Sequence, residues 1–434
     1  MLELIGISLF LLVIGISIAL HEFGHLIPAK RFGVKVTEYS VGFGPFLWKK
    51  QIGETRYAIR AIPLGGFIRM IGMYAPGRND NKQVGGPFRD LIDHAREESA
   101  AEIQPGEEAR TFYSLPVWKK LVIMTGGPFM NLLLAIVFFS IVFSGIGVAT
   151  ATTKVGGIVP CVPTNSDLSG EGSVTGCLDS EQTPAALSGI QPGERLVRID
   201  TTQITKWQDV SSAITAAKTN DVKIIVEDIR GQLRTVDVSL ANLNIKLVDD
   251  EGKPTGEVIK RKFFGVSPDI VLEPLPLTSV PQEMWRMTTA SVVALLSFPE
   301  KIAGLVVTMV NGQERDPNGP VSVVGVSLIS GEIVASDLGN IEKVQNLLGL
   351  AASLNLFLFI FNLVPLLPLD GGHAAGAIFE GIRKRYAKLR LLPDPGPIDT
   401  ARALPLTYVV AALMLSAGLI VIVADIFNPI VLFG

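Results

Sequence analysis

Two of the four histidines in the chain, His21 and His25, stand four residues apart in the stretch HEFGH, with Glu22 next to the first. On a helix, positions i and i+4 share one face, so both imidazoles can hold a single metal ion while the carboxylate polarises a bound water. The stretch closes an uninterrupted apolar run over residues 4–20. Two histidines that merely capped a membrane span would leave Glu22 unexplained, because an unpaired carboxylate at that depth is costly without a partner or a task. The pattern points to a metal centre at the end of a lipid-buried helix.

Two imidazoles leave a catalytic zinc one protein ligand short of the usual three. The missing donor is expected from FNLVPLLPLDGGH, residues 361–373, which ends a later apolar run with Asp370. Pro365 and Pro368 break the helix there, so the chain can unwind around a cavity. Gly371 and Gly372 are expected to make a tight turn that aims the carboxylate back at the metal. Asn362, eight residues before Asp370, is a polar side chain in an apolar run, suited to bonding a substrate carbonyl or strand; helix–helix hydrogen bonding is its other account. His373 is an alternative third ligand, ranked below Asp370 because it lies beyond the glycines.

The elements that must position these residues are membrane helices. Mean hydropathy is +0.41 and charged residues make up 18% of the chain, which describes a membrane protein, and a net charge of −3 argues against a nucleic-acid partner. Four spans are expected, at 1–27, 118–148, 344–369 and 405–427. A cleaved signal peptide is disfavoured for the first, which lacks a basic flank and a small-residue cleavage site. The segment 288–310 reads as an amphipathic surface helix, because Glu300 and Lys301 sit in its middle.

Loop 28–117 and the loop 370–404, with its RKRYAKLR cluster, carry the basic excess and read as cytoplasmic; thirteen Lys and Arg against ten Asp and Glu fall between 26 and 117. Both termini and the acidic segment 149–343 then lie outside, and spans one and three end at the same leaflet. Cys161 and Cys177, the only cysteines, both fall in that external segment, where a disulfide between them could persist.

HEFGH at the end of an N-terminal span, paired with NLVPLLPLDGG in a later one, resembles the site-2 protease family of intramembrane metalloproteases across essentially the whole chain. The resemblance implies one zinc ion bound by His21, His25 and Asp370, with Glu22 as catalytic acid and base. GGPFMN, 126–131, is similar to the family's G-x-x-x-N element, which implies that Asn131 lines the site. Residues 57–72 alternate around Pro-Leu-Gly-Gly like a hairpin. In the family such a segment dips into the membrane and presents an edge strand to substrate, which implicates Gly65 and Gly66 beside Asn362 and Pro365 in substrate binding.

Residues 152–245 resemble one PDZ domain, with a short helix, a glycine-punctuated turn, a strand, a second helix and two alternating strands, and with 160–183 inserted near the first strand. FFGVSP, 263–268, and NGPVSVVGVS, 318–327, match family positions beyond it, in a linker over 246–343, and with its single PDZ copy the chain resembles the actinobacterial branch more than bacterial relatives with two. The fold expected is therefore an α-helical polytopic membrane protein with four transmembrane helices, a membrane-associated β-hairpin and one extracytoplasmic PDZ domain, in a bacterial cytoplasmic membrane. The resemblance implies cleavage of transmembrane segments of single-pass proteins, such as anti-sigma factors or signal-peptide remnants, after an upstream site-1-type protease has trimmed them. A transmembrane metal transporter or a PDZ scaffold are the alternatives; neither needs a glutamate beside the first histidine. Loop 73–117 suggests no role.

Overall fold

The computed structural model of the 434-residue chain describes residues 1–76, 88–163, 177–248, 254–313 and 315–430. It divides into two compact units, one of residues 1–146 with 275–434 and one of Gly147–Pro274.

In the first unit, four helices among the described residues are long and apolar enough to cross a bilayer: Leu2–Arg31, Val117–Ile146, Asn340–Asn362 and Thr400–Phe427. We call them the first to fourth spans. Together with the β elements they describe a polytopic membrane protein. The first and second spans meet at glycines: a Cβ on Gly24 would run into the backbone of Gly126, and one on Gly126 into the backbone of Gly24. Small residues at a crossing let two helix backbones touch, which is how helices associate where no water is available to drive them together.

The expected surface helix over 288–310 is instead two helices, Val280–Leu296 and Phe298–Asn311, within a pair bent by 63° that counts as a fifth candidate span if taken as one. Pro299 sits in the first turn of the second helix and cannot continue the first, and Lys301 Nζ leaves the apolar face to donate to Asn318 O at 2.7 Å. A further short apolar helix, Val323–Ala335, packs Ser330 and Gly331 against Gly6 of the first span. Its N-terminus is capped by the buried Asp425 carboxylate, which accepts from Ser322 N at 2.8 Å and Gly325 N at 3.2 Å and pairs with buried Arg315 at 2.5 Å. Removing one partner of such a buried pair costs about 3–5 kcal/mol.

The residues expected as a loop after the first span contain a β-sheet of two long strands, β1 (Val36–Ile52) and β2 (Thr55–Met70). The turn between them is at Gly53, where φ is +61°, so Pro-Leu-Gly-Gly does not turn a hairpin as expected but lies within β2. Gly42 (φ +89°), Gly44 (+82°) and Gly65 (+113°) bend the strands instead. The bends let residues 38–41 lie between 56–59 and 66–69, while 48–52 pair with 55–59. The Arg60 side chain holds the bend, donating to Ser40 Oγ at 2.8 Å, Gly44 O at 3.0 Å and Glu38 Oε1 at 2.5 Å. Part of loop 73–117 is the helix Arg89–Ala101; 77–87 lie outside the described residues.

The second unit is built on the sheet order β12-β3-β6-β8-β9, with β7 (Thr202–Gln203) beside β6. The strands are β3 (Val148–Ile158), β4 (Cys161–Pro163), β5 (Cys177–Gln182), β6 (Arg195–Ile199), β8 (Asp221–Glu227), β9 (Leu233–Ser239), β10 (Ala241–Val248), β11 (Pro254–Phe263) and β12 (Val266–Glu273). Leu196, Ile199, Ile224 and Val226 from the alternating strands form its core with Val210 and Ala213 of the helix Trp207–Ala216. The unit is wider than 152–245 because β12 returns to pair with β3. Cys161 is disulfide-bonded, and Cys177 is the one other cysteine in the sequence. Most of the insertion between them, 164–176, lies outside the described residues.

Candidate metal centre

His21 and His25 lie in the C-terminal half of the first-span helix, and their rings stand edge to face with centroids 4.9 Å apart. His25 Nδ1 meets Ile123 O of the second span at 2.7 Å. A carbonyl only accepts, so Nδ1 carries the proton and Nε2 is left as a bare lone pair. His21 Nδ1 meets Asn131 Nδ2 at 3.1 Å, and the buried Asn131 Oδ1 has no hydrogen-bond partner among the described residues. Amide N and O occupy equivalent positions, so turning Oδ1 toward the ring lets it accept from Nδ1–H and satisfies both groups. Each histidine then offers Nε2 as donor to a metal, with an outer hydrogen bond holding the ring.

The two Nε2 atoms are 3.3 Å apart, and Asp370 Oδ2 stands 3.2 Å from each. Three corners of a tetrahedron with bonds of about 2.0–2.1 Å are separated by about 3.3 Å, so the triangle has the size a zinc ion requires. Asp370 Oδ2 is buried and has no hydrogen-bond partner among the described residues. Two lone pairs and a carboxylate oxygen brought this close in a partly buried site repel unless a cation stands between them. The donor set suits zinc, and among the described residues these three are the ones whose ligand atoms converge, without His373.

Asp370 reaches this point by an unexpected local route. The third-span helix ends at Asn362, 363–369 are irregular, and Asp370 opens a new helix, Asp370–Leu389, where a glycine turn and a basic loop were expected. Gly371 and Gly372 belong to its first turn rather than to a tight turn. A Cβ on Gly371 would strike the Leu363 and Val364 backbone, and one on Gly372 the backbone of Leu366 and Leu367. The glycines are needed because the chain packs on itself, and not for positive φ.

Glu22 is buried at 7% exposure and faces β2, where a Cβ on Gly66 would come within 2.8 Å of Glu22 Cγ. Tyr39 of β1 donates to Ala19 O at 2.7 Å, which docks the sheet on the first span. Gly65 packs on the Phe43 ring. Asn362 is half-buried at the helix end and bonds none of the three ligands, and Pro365 is exposed. His373, one turn past Asp370, lines a cavity of about 390 Å³ bounded by Phe67, Met70 and the helix Arg89–Ala101.

Two contributors, Ile123 and Asn355, escaped the sequence reading, whereas Gly127 is the glycine of the G-x-x-x-N element. Ile123 acts through its carbonyl and has no side-chain signal. Gly127 is so close that a Cβ there would strike Nε2 of both histidines. Asn355, wholly buried in the third span, donates to Ser17 Oγ at 3.0 Å, one turn before His21; its polarity inside an apolar run was the signal available.

Residues 9–391 match the model of peptidase family M50. The zinc metalloprotease Rip1 of Mycolicibacterium smegmatis is 34% identical, covering 99% of both chains. Rip1 of Mycobacterium tuberculosis is 32% identical over the full length of both. The metalloprotease MmpA of Caulobacter vibrioides is 26% identical over 88% of each.

Proposed function

This chain belongs to peptidase family M50, the site-2 zinc metalloproteases, and from that premise we propose that it hydrolyses a peptide bond within the membrane-spanning segment of a single-pass protein. His21, His25 and Asp370 hold one zinc ion per chain, and Glu22 moves the proton. The convergence of two imidazole Nε2 atoms on an orphaned carboxylate oxygen carries this reading. When bound, zinc supplies Lewis acidity, polarising the scissile carbonyl and making water acidic enough to ionise near neutral pH. Glu22 accepts the proton of the attacking water and returns it to the amide nitrogen as the bond breaks. Ile123 O and Asn131 hold the two rings in the donor tautomer while this happens.

A substrate helix shields its own peptide bonds and must unwind before cleavage. Strand 66–70, at the edge of the sheet, receives the extended segment by β-pairing. Support comes from the packing of Gly66 on Glu22, which brings that edge beside the reacting groups. Gly65, Asn362 and Pro365 line the same path.

Gly147–Pro274 acts as an extracytoplasmic PDZ domain, a reading supported by its sheet and the flanking helix Trp207–Ala216. The bias of basic residues puts both termini outside in a bacterial cytoplasmic membrane. The domain excludes bulky ectodomains, so that substrates such as anti-sigma factors or signal-peptide remnants enter after an upstream protease has shortened them.

The test is Glu22→Gln in the full chain, with a single-pass reporter as substrate and zinc counted in the purified protein. Zinc is expected to remain at one per chain while cleavage falls by about 10²–10⁴-fold. A variant that cleaves at the wild-type rate removes Glu22 from the chemistry.

A further inference from the structure

The second span presents one buried stripe, Lys120, Met124, Gly127 and Asn131, with Ile123 beside it. Spacings of four, three and four keep these residues on a single helix face. Gly127, Asn131 and the Ile123 carbonyl meet the histidine rings. Lys120, at the other end of the stripe, meets the helix that begins with Asp370: its Nζ donates to Glu380 Oε2 at 2.7 Å, with side chains 4% and 0% exposed. Lys384 Nζ at 2.7 Å and Ile398 N at 3.1 Å complete the Glu380 carboxylate. Gly381 passes so close to the second span that a Cβ there would stand 3.3 Å from Val117 Cγ1.

We propose that Lys120 and Glu380 are positioning residues that set where Asp370 stands relative to the two histidines. The inference rests on the metal site proposed above. On its N-terminal side Asp370 follows the irregular segment 363–369, whose backbone packs on Gly371 and Gly372 and carries no directed contact to the second span among those described. On its C-terminal side a continuous helix runs to Glu380, about 15 Å away at roughly 1.5 Å per residue. A rigid rod clamped at one end places its other end. The second span thus serves both halves of the site, holding the imidazoles directly and the carboxylate through the clamp. An apolar contact could slide along the helix surface, whereas paired charges with directed hydrogen bonds select one register.

The experiment measures zinc affinity of the detergent-solubilised full chain by chelator competition, with the melting temperature read in parallel. Lys120→Met leaves Glu380 paired with Lys384 and Ile398 N–H, so no bare charge is stranded. Zinc binding is expected to weaken about 10-fold or more, and Lys120→Arg should recover most of it. Glu380→Gln should weaken zinc in the same direction, and the combined variant should bind zinc about as well as the weaker single variant, because both remove one tie. Should Lys120→Met not fold, Glu380→Gln against Lys120→Arg makes the comparison. Wild-type zinc affinity in the charge-removing variants, with only the melting temperature lowered, overturns the clamp and leaves the metal site standing. Wild-type protein that binds no stoichiometric zinc overturns both.

Discussion

The end of the first span and the start of the helix Asp370–Leu389 feed the same cluster but are held by different means. His21 and His25 sit inside an unbroken helix, one turn apart, with Ile123 O and Asn131 behind their rings and the glycine crossing of Gly24 and Gly126 beneath them. Asp370 stands just past a helix break, in the first turn of a helix that follows seven irregular residues, and its inner oxygen has no hydrogen bond among the described residues. The imidazole half is therefore held by hydrogen bonds and helix packing close by. The carboxylate half depends on contacts made far along the sequence, and the site is as good as that packing.

The sharpest way to break this contrast is to remove one ligand from each half. Cleavage should fall to background in both His25→Ala and Asp370→Ala, yet Asp370→Ala should keep weak zinc binding, at least about tenfold tighter than His25→Ala, because its two imidazoles remain preorganised. Equal residual affinities, measured by chelator competition, would show that the halves are equally rigid. A smaller effect is expected from Gly127→Ala. The added methyl would occupy the space of both Nε2 atoms, forcing the rings aside. Overpacking of this kind typically lowers stability by about 1–3 kcal/mol, and zinc content should drop with it; full zinc occupancy in that variant would contradict the close approach.

The smallest effect tests the carboxylate half through acid. Burial alone would raise the Glu380 carboxyl, but the hydrogen bonds and charges of Lys120 and Lys384, with Ile398 N–H, bring it below its ordinary range. A depressed folded-state pKa means that the contribution is complete above the unfolded value of about 4.3 and is lost as pH falls through the lower folded value. Melting temperature should therefore decline on acidification in the wild type, and Glu380→Gln should flatten part of that slope. Superimposable slopes would mean that the pair contributes nothing there.

Much of this architecture was legible because its signals are local. The four long apolar runs are visible as hydropathy, and HEFGH declares a helix face by spacing alone. Asn131, which the resemblance to the G-x-x-x-N element implicated, bonds a ring, and the prolines of 363–369 follow the end of a helix. Other features were not legible. Pro-Leu-Gly-Gly looked like a turn, but Gly65 serves a bend inside a strand, and nothing in residues 57–72 reveals that their partner begins at Val36. Lys120 and Glu380 are separated by 260 positions, and neither alone signals a partner.

Residue type and spacing determined, without any structure, that two imidazoles and a carboxylate share the end of an apolar helix, because helical periodicity depends only on near neighbours. The bend at Ser297–Pro299, the new helix at Asp370 and the arrival of its carboxylate 3.2 Å from both rings were decided by tertiary structure. These depend on backbone contacts at glycines and on paired charges between helices, and such contacts exist only once distant segments have packed.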